Sequence, residues 1–222
     1  MSRARGFSLI EVLLATVLLA AGMALAFSTL SNATVATERA EALAQRNERL
    51  RAVQAFLRRQ LENALPLPYE FIEGTGEATV FECEGDTLRL VAPMPGYLSR
   101  GGPYLQTFRL VRGADGLRLE FEHQLMTPDG PIDSEREPEI LLEGIAEGEF
   151  QVRTLEDDGE PGEWRNRWDR PAQIPRLVQL QLRLRDERAH WPTLVAAPRL
   201  GLFPLPSAIP PNGGDLIPGE QP

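Results

Sequence analysis

The sequence predicts an α+β fold in which a long N-terminal helix, transmembrane in its first half, packs on an antiparallel β-sheet head. Three observations predict it. Residues 12–30 are almost wholly apolar, residues 31–64 contain no Pro or Gly and are rich in Ala, Arg, Glu and Leu, and apolar and polar residues alternate from about residue 79 onward. The first two patterns favour one continuous helix, and a period of two favours strands.

The apolar run is long enough to cross a bilayer once. As a helix, residues 12–30 span roughly 28 Å, close to the thickness of a hydrocarbon core. No charge occurs between Glu11 and Glu38. Arg3 and Arg5 precede the run, and this placement favours an N-terminus that stays in the cytoplasm while the rest of the chain lies outside.

Glu11 is the unusual residue of this run. An isolated carboxylate in hydrocarbon costs about 2.5–3.5 kcal/mol on insertion scales, so an ordinary apolar anchor would not contain one. The positive end of the helix dipole favours a Glu in the first turn. The dipole alone explains neither Gly6 nor the short basic leader ahead of it.

The helix should continue to about Ala64 and then stop at Pro66 and Pro68. One apolar stripe recurs at helical spacing along its second half. We expect this stripe to pack on the head; its members are Leu43, Leu50, Val53, Leu57, Leu61 and Leu65, with Phe56 beside it.

The alternating segments predict an antiparallel sheet with one face exposed to water. The clearest alternation runs from Leu177 to Arg185, where the polar side, expected to face water, consists of Gln179, Gln181, Arg183 and Arg185. Ala114-Asp115-Gly116 is typical of a hairpin turn. Interruptions are expected at Pro93–Pro103, Thr127–Pro138 and Glu156–Pro175. The last 19 residues contain six Pro and three Gly, so residues 204–222 are predicted to be a disordered tail.

Composition excludes several classes of function. All 23 basic residues are Arg, and without Lys there is neither a Walker A loop nor a Schiff-base nucleophile. Residues 65–222 contain 15 Arg against 27 Asp and Glu, a balance that disfavours nucleic-acid binding. Cys83 is alone and predicted to be buried and inert, and His123 and His190 lack metal-ligand spacing. We therefore expect no enzyme activity, no metal and no cofactor.

The motif Gly6-Phe7-Ser8-Leu9-Ile10-Glu11, between a basic leader and an apolar helix, resembles the class III signal of type IV pilins and type II secretion pseudopilins. The resemblance implies a pilin-like fold and cleavage after Gly6 by a prepilin peptidase, which then methylates the new N-terminal residue, Phe7. It also implies an assembly salt bridge, in which Glu11 of one subunit pairs with the Phe7 α-amine of a neighbour. Such a pair removes much of the burial penalty of the carboxylate.

Trp164 and Trp168, followed by Ile174-Pro175-Arg176-Leu177-Val178 and a long strand, resemble the J-type minor pseudopilins within that family. The resemblance implies residues 1–6 as the leader, 7–30 as the inner-membrane helix, 31–203 as the periplasmic head and 204–222 as the tail. It also implies a structural subunit of a pseudopilus tip complex that initiates assembly and helps to export folded proteins. The implied partners are minor pseudopilins of the I, K and H types, the major pseudopilin, the prepilin peptidase and the inner-membrane secretion platform.

Two alternatives remain open from the sequence. One is a minor pilin that primes a type IV pilus. The other is an exported periplasmic protein released by ordinary signal peptidase, because Ala24-Leu25-Ala26 has the form of its cleavage site.

Overall fold

The computed structural model describes residues 8–96, 101–133, 136–156 and 159–199, with the side chains of 31–36 and 39 left out. Gly6, Phe7 and the predicted tail 204–222 therefore lie outside the described residues. The first element, α1, is the helix Leu9–Glu62, 54 residues long. The described residues form two compact units, one up to Arg51 and one from Ala52 onward, and each is described separately.

In the first unit, α1 begins with an apolar span. Leu9–Leu30 is 22 residues long and exposes its large apolar side chains, and it measures about 33 Å at 1.5 Å per residue. Two hydroxyls in the span bond to the preceding turn: Thr16 Oγ1 donates to the Leu13 carbonyl at 2.9 Å, and Thr29 Oγ1 donates to the Leu25 carbonyl at 2.8 Å. These two hydroxyls are therefore satisfied within the helix, as a lipid environment requires. The predicted N-terminal apolar helix is confirmed.

The second unit contains the end of α1 and the strands. The strands in chain order are β1 Glu70–Phe71, β2 Ala78–Thr79, β3 Phe81–Cys83, β4 Thr87–Pro93, β5 Pro103–Gly113, β6 Gly116–Thr127, β7 Gly130–Pro131, β8 Glu139–Arg153, β9 Leu177–Leu184 and β10 Leu194–Ala196. In the described residues the main sheet has the order β10-β9-β8-β6-β5-β4-β3, with β7 paired to β6, and every pairing is antiparallel. β1 and β2 form a separate two-stranded sheet. The predicted antiparallel sheet is confirmed, and β4 ends and β5 begins at the two prolines predicted to bound that break.

The last turns of α1 pack on one face of this sheet. Val53, Leu57 and Leu61 are buried. The Phe56 ring lies edge-on to Phe121, with ring centroids 5.1 Å apart. Leu43, predicted to belong to the same buried stripe, is 53% exposed, so that part of the prediction is wrong. Sequence periodicity identifies the apolar side of the helix but not the position at which packing begins.

A buried pair of amides fixes the helix on the sheet. Gln60 and Gln106 are both almost fully buried, and Gln106 Nε2 donates to Gln60 Oε1 at 2.9 Å. The same nitrogen also lies 3.3 Å from the Ala92 carbonyl oxygen. Because a buried amide without a partner costs about 1–3 kcal/mol, this pair disfavours other positions of the helix on the sheet.

The second face of the sheet is polar, but only in part. Tyr69, Val91 and Leu105 form a small buried cluster there, against which Met126 packs. Gln179, expected on the wet face, is also buried. The prediction of one face exposed to water therefore holds where charged side chains line this face, but not for the whole face.

Both edges of the main sheet are covered. Along β3, the Trp168 N–H donates to the Cys83 carbonyl at 2.9 Å, and the Val80 N–H donates to the Pro171 carbonyl at 2.8 Å. At β10, Arg58 of α1 donates from Nη1 to the Val195 carbonyl at 2.7 Å. These contacts occupy backbone groups that an open edge would offer to another chain.

The β5–β6 hairpin turns between Gly113 and Gly116, which are paired across the turn. The predicted hairpin is confirmed. Gly116 has a φ of 96°, and a Cβ at this position would lie 2.5 Å from the Ile145 carbonyl oxygen. Only glycine therefore allows β8 to lie this close to the turn.

We expect Gly116→Ala to lower the free energy of unfolding by about 1–3 kcal/mol more than Gly130→Ala, because only the first change creates overpacking. Gly130 is a matched control, since its φ is 118° and its added Cβ would meet nothing within 4 Å. Urea unfolding of the full chain in nonionic detergent, followed by tryptophan fluorescence, measures both. Equal losses would show that the close approach to Ile145 is unimportant.

Leu57→Ala should lower the free energy of unfolding by about 2–5 kcal/mol, because the Leu57 side chain is fully buried between α1 and the sheet. Leu43→Ala is the control on the same helix, and we expect a change within about 0.5 kcal/mol at this exposed position. The same urea titration compares the two. A large loss of stability for Leu43→Ala would show that the buried stripe extends to Leu43, as the sequence predicted.

Candidate assembly site

Ser8 caps the N-terminus of α1. The Glu11 N–H lies 3.3 Å from Ser8 Oγ and 3.0 Å from the Ser8 carbonyl oxygen, and the Val12 N–H donates to the same carbonyl at 3.2 Å. Ser8 therefore satisfies donors that the first helical turn leaves free. Sequence reasoning did not assign this role to Ser8, although Ser-x-x-Glu before an apolar run is the pattern of a capping box.

Glu11 lies in the first turn of α1 and is exposed. The dipole of the helix favours its negative charge there. Within the described part of the chain, no cation lies at ion-pair distance from its carboxylate. The cap fixes where the helix starts, and thereby the side on which Glu11 emerges. Gly6 and Phe7, the other two predicted site residues, lie outside the described residues.

The polar face of the head carries charged pairs between neighbouring strands. Arg109 of β5 pairs with Glu122 of β6 at 2.5 Å, and Arg89 of β4 pairs with Glu82 of β3 at 3.1 Å. The Arg89 guanidinium also lies 4.9 Å from the centroid of the Tyr69 ring. Burial is the main reason that the pKa of the Tyr69 phenol is raised above its usual value. These pairs have the geometry of cross-strand stabilisation and not of a catalytic group.

The two tryptophans singled out in the sequence lie in the segment that covers β3. Trp168 Nε1 donates to the Gln173 carbonyl at 2.8 Å, which closes this loop on itself. Trp164 is half-buried, and the Arg153 guanidinium lies 5.7 Å from the centroid of its ring. The Trp164 side chain therefore contacts strand β8 through Arg153, whereas the Trp168 side chain closes the loop.

The remaining reactive groups are dispersed. Cys83 is buried and free, and burial raises the pKa of its thiol to about 11. It therefore stays protonated at neutral pH, as expected of an inert thiol. His123 stacks on Phe121, with ring centroids 5.4 Å apart, while His190 is exposed on a loop. Among the described residues, no three His, Cys, Asp or Glu side chains form a group that could hold a metal ion.

Comparison with known proteins agrees with this architecture. A long N-terminal helix with an apolar first part, followed along the chain by an antiparallel sheet, is typical of membrane-anchored proteins with a pilin-like α+β fold. Residues 1–27 match the prokaryotic N-terminal methylation motif, and residues 28–190 match the family described as type II secretion system (T2SS), protein J. The chain is also 37% identical over 198 residues to the type II secretion system protein J of Xanthomonas campestris pv. campestris, a match that covers 88% of this chain and 93% of that protein.

The chain belongs to the protein J family of type II secretion systems and is a minor pseudopilin. This family is a structural component of the secretion apparatus, and membership implies assembly with other pseudopilins. The predicted resemblance is confirmed. The alternatives of a type IV pilus minor pilin and of an exported soluble protein are not favoured by these matches.

Proposed function

We propose that the chain is stored in the inner membrane as a single-pass precursor, with its N-terminus in the cytoplasm and its head in the periplasm. Residues 1–6 would be the leader, 7–30 the transmembrane helix, 31–203 the head and 204–222 the tail. Arg3 and Arg5 support this orientation because positive residues remain cytoplasmic. A prepilin peptidase then cuts between Gly6 and Phe7 and methylates Phe7, and the methylation-motif match over residues 1–27 supports this step.

The observation that carries the assembly proposal is the placement of Glu11. Its carboxylate lies in the capped first turn of α1, at the start of an apolar span with no other charge. After cleavage, Phe7 would carry a new α-amine four residues before Glu11. When subunits associate side by side, Glu11 of one subunit pairs with the Phe7 amine of its neighbour, and each charge then offsets the burial cost of the other.

The processed subunit acts at the tip of a periplasmic pseudopilus, where it initiates assembly and helps to export folded proteins across the outer membrane. Its partners are minor pseudopilins of the I, K and H types, the major pseudopilin and the inner-membrane secretion platform. Membership of the protein J family supports this assignment. The role depends on surfaces and not on catalysis or nucleic-acid binding, in keeping with the dispersed reactive groups and the acidic head.

We expect Glu11→Gln and Glu11→Ala to be processed and folded normally but incorporated poorly into assemblies. Glu11→Gln keeps nearly the same shape and removes the charge, so the neighbour's α-amine would lose its partner in an apolar setting. Loss of a buried pair by removal of one charge costs about 3–5 kcal/mol, enough to reduce co-purification by more than tenfold. The measurements are co-purification of companion subunits from membranes and secretion of a reporter substrate.

Glu38→Gln is a suitable control, because it removes one carboxylate from the same helix beyond the apolar span. It should leave recovery of the complex and secretion unchanged. Equal recovery and secretion for the wild type and both Glu11 variants would contradict the proposed pairing. A Glu11 variant that keeps its leader would instead show that the carboxylate acts in processing.

A further inference from the structure

The segment 164–170, which covers the edge of β3, is held in place by its backbone on two sides. The Arg165 N–H donates to the Val152 carbonyl at 2.9 Å, and the Val152 N–H donates to the Arg165 carbonyl at 2.8 Å. On the other side, the Trp168 N–H donates to the Cys83 carbonyl. These bonds fix the backbone of the segment, and the exposed side chains of Arg165, Asn166 and Arg167 face outward from it. A surface of this kind is pre-organised, so binding a partner would order few additional groups.

A shallow, open groove lies along this segment. Its volume is about 550 Å³, and its lining residues are Gln151, Trp164, Arg165, Asn166, Arg167 and Asp169. Arg165, Asn166 and Arg167 are exposed, while Trp164 is half-buried, with Arg153 near its ring. Tryptophan and arginine are the residues most enriched at the energetic centres of protein interfaces. The composition of the groove is therefore that of a docking surface.

The charge of the segment differs from that of the molecule. Three Arg and one Asp occur within residues 164–170, whereas the whole chain has a net charge of −9. Arg165 lies 3.7 Å from Glu156 and 3.9 Å from Asp169, and all three side chains are about half exposed or more. Such long, solvated pairs contribute little and are readily exchanged for a better partner.

The side chain of Arg167 has fewer polar contacts than that of Arg165. Its backbone lies opposite Glu84 in an isolated bridge. Nevertheless, its guanidinium forms no ion pair or hydrogen bond with any residue that the structure describes. Two guanidinium groups at the rim of a groove with an aromatic wall therefore have capacity for carboxylates.

We infer that this groove binds a short acidic segment of a partner protein. Carboxylates of the segment pair with Arg165 and Arg167, and an apolar side chain beside them packs on Trp164. The net negative charge of the chain repels an extended polyanion such as a nucleic acid. A short acidic peptide instead replaces Glu156 and Asp169 in their long, exposed pairs with Arg165, and it pairs with Arg167 as well. The inference does not depend on the proposed processing at Gly6 or on pairing through Glu11.

The test uses the full chain in nonionic detergent and a defined probe. The probe is a fluorescein-labelled peptide of Glu-Ser repeats with one central Phe, and its neutral counterpart has Gln in place of every Glu. Fluorescence anisotropy should show binding of the acidic peptide, at least about tenfold tighter than the neutral one. Added salt should weaken this binding, since the pairs are exposed.

The decisive comparison is between two double variants of equal charge. Arg165→Gln with Arg167→Gln should weaken binding at least about tenfold, because charge-assisted bonds are lost at both positions. Arg112→Gln with Arg188→Gln removes two exposed arginines that do not line the groove, and should bind like the wild type. Both variants keep their backbone bonds, and an unchanged unfolding midpoint in urea verifies the fold.

A second readout uses the wild-type chain and so does not depend on the stability of the arginine variants. Binding of the peptide should change tryptophan emission in the wild type, and Trp164→Phe should remove most of that change. Three outcomes would overturn the inference: no binding of the acidic peptide, equal losses for both double variants, or an emission change that survives Trp164→Phe.

Discussion

The seating of α1 on the sheet is the contact on which the rest of the head depends. Val53, Leu57 and Leu61 fill the space between helix and sheet, and the buried Gln60–Gln106 hydrogen bond fixes their position. Apolar burial supplies most of the driving force, and the amide pair supplies specificity, since any other position breaks the buried hydrogen bond between Gln106 Nε2 and Gln60 Oε1.

The same turns of the helix also organise the chain after β9. Gln54 Nε2 donates to the Pro192 carbonyl at 3.1 Å, Arg58 reaches the Val195 carbonyl, and the Arg199 N–H donates to the Glu62 carbonyl at 2.9 Å. One side of the helix end therefore covers the core, while another holds the short strand β10. A change that displaces these turns would disturb both parts of the head together.

Local patterns predicted most of the fold. The alternation of apolar and polar residues located the long strands. Pro66 and Pro68 placed the end of α1 within two residues of Glu62, where the helix ends. The sequence Ala114-Asp115-Gly116 identified the hairpin turn between β5 and β6. The Ser-x-x-Glu pattern also indicates the Ser8 cap, although the sequence analysis did not include it. What could not be predicted depends on pairs far apart in sequence, such as the match of Gln60 with Gln106. The position of residues 164–170 along β3 belongs to the same class, because nothing local specifies which strand edge a loop will cover.

The central claim is that this pseudopilin is processed at its N-terminal motif and retains its anchoring helix. The most direct test is the intact mass and N-terminal sequence of the mature chain, isolated from membranes that also contain the prepilin peptidase. The account predicts a chain that begins at Phe7 and carries one added methyl group. A Gly6→Val variant should keep its leader, because the peptidase must approach the backbone closely at this position. A wild-type chain that begins at Phe27, or one that retains residues 1–6, would contradict the account.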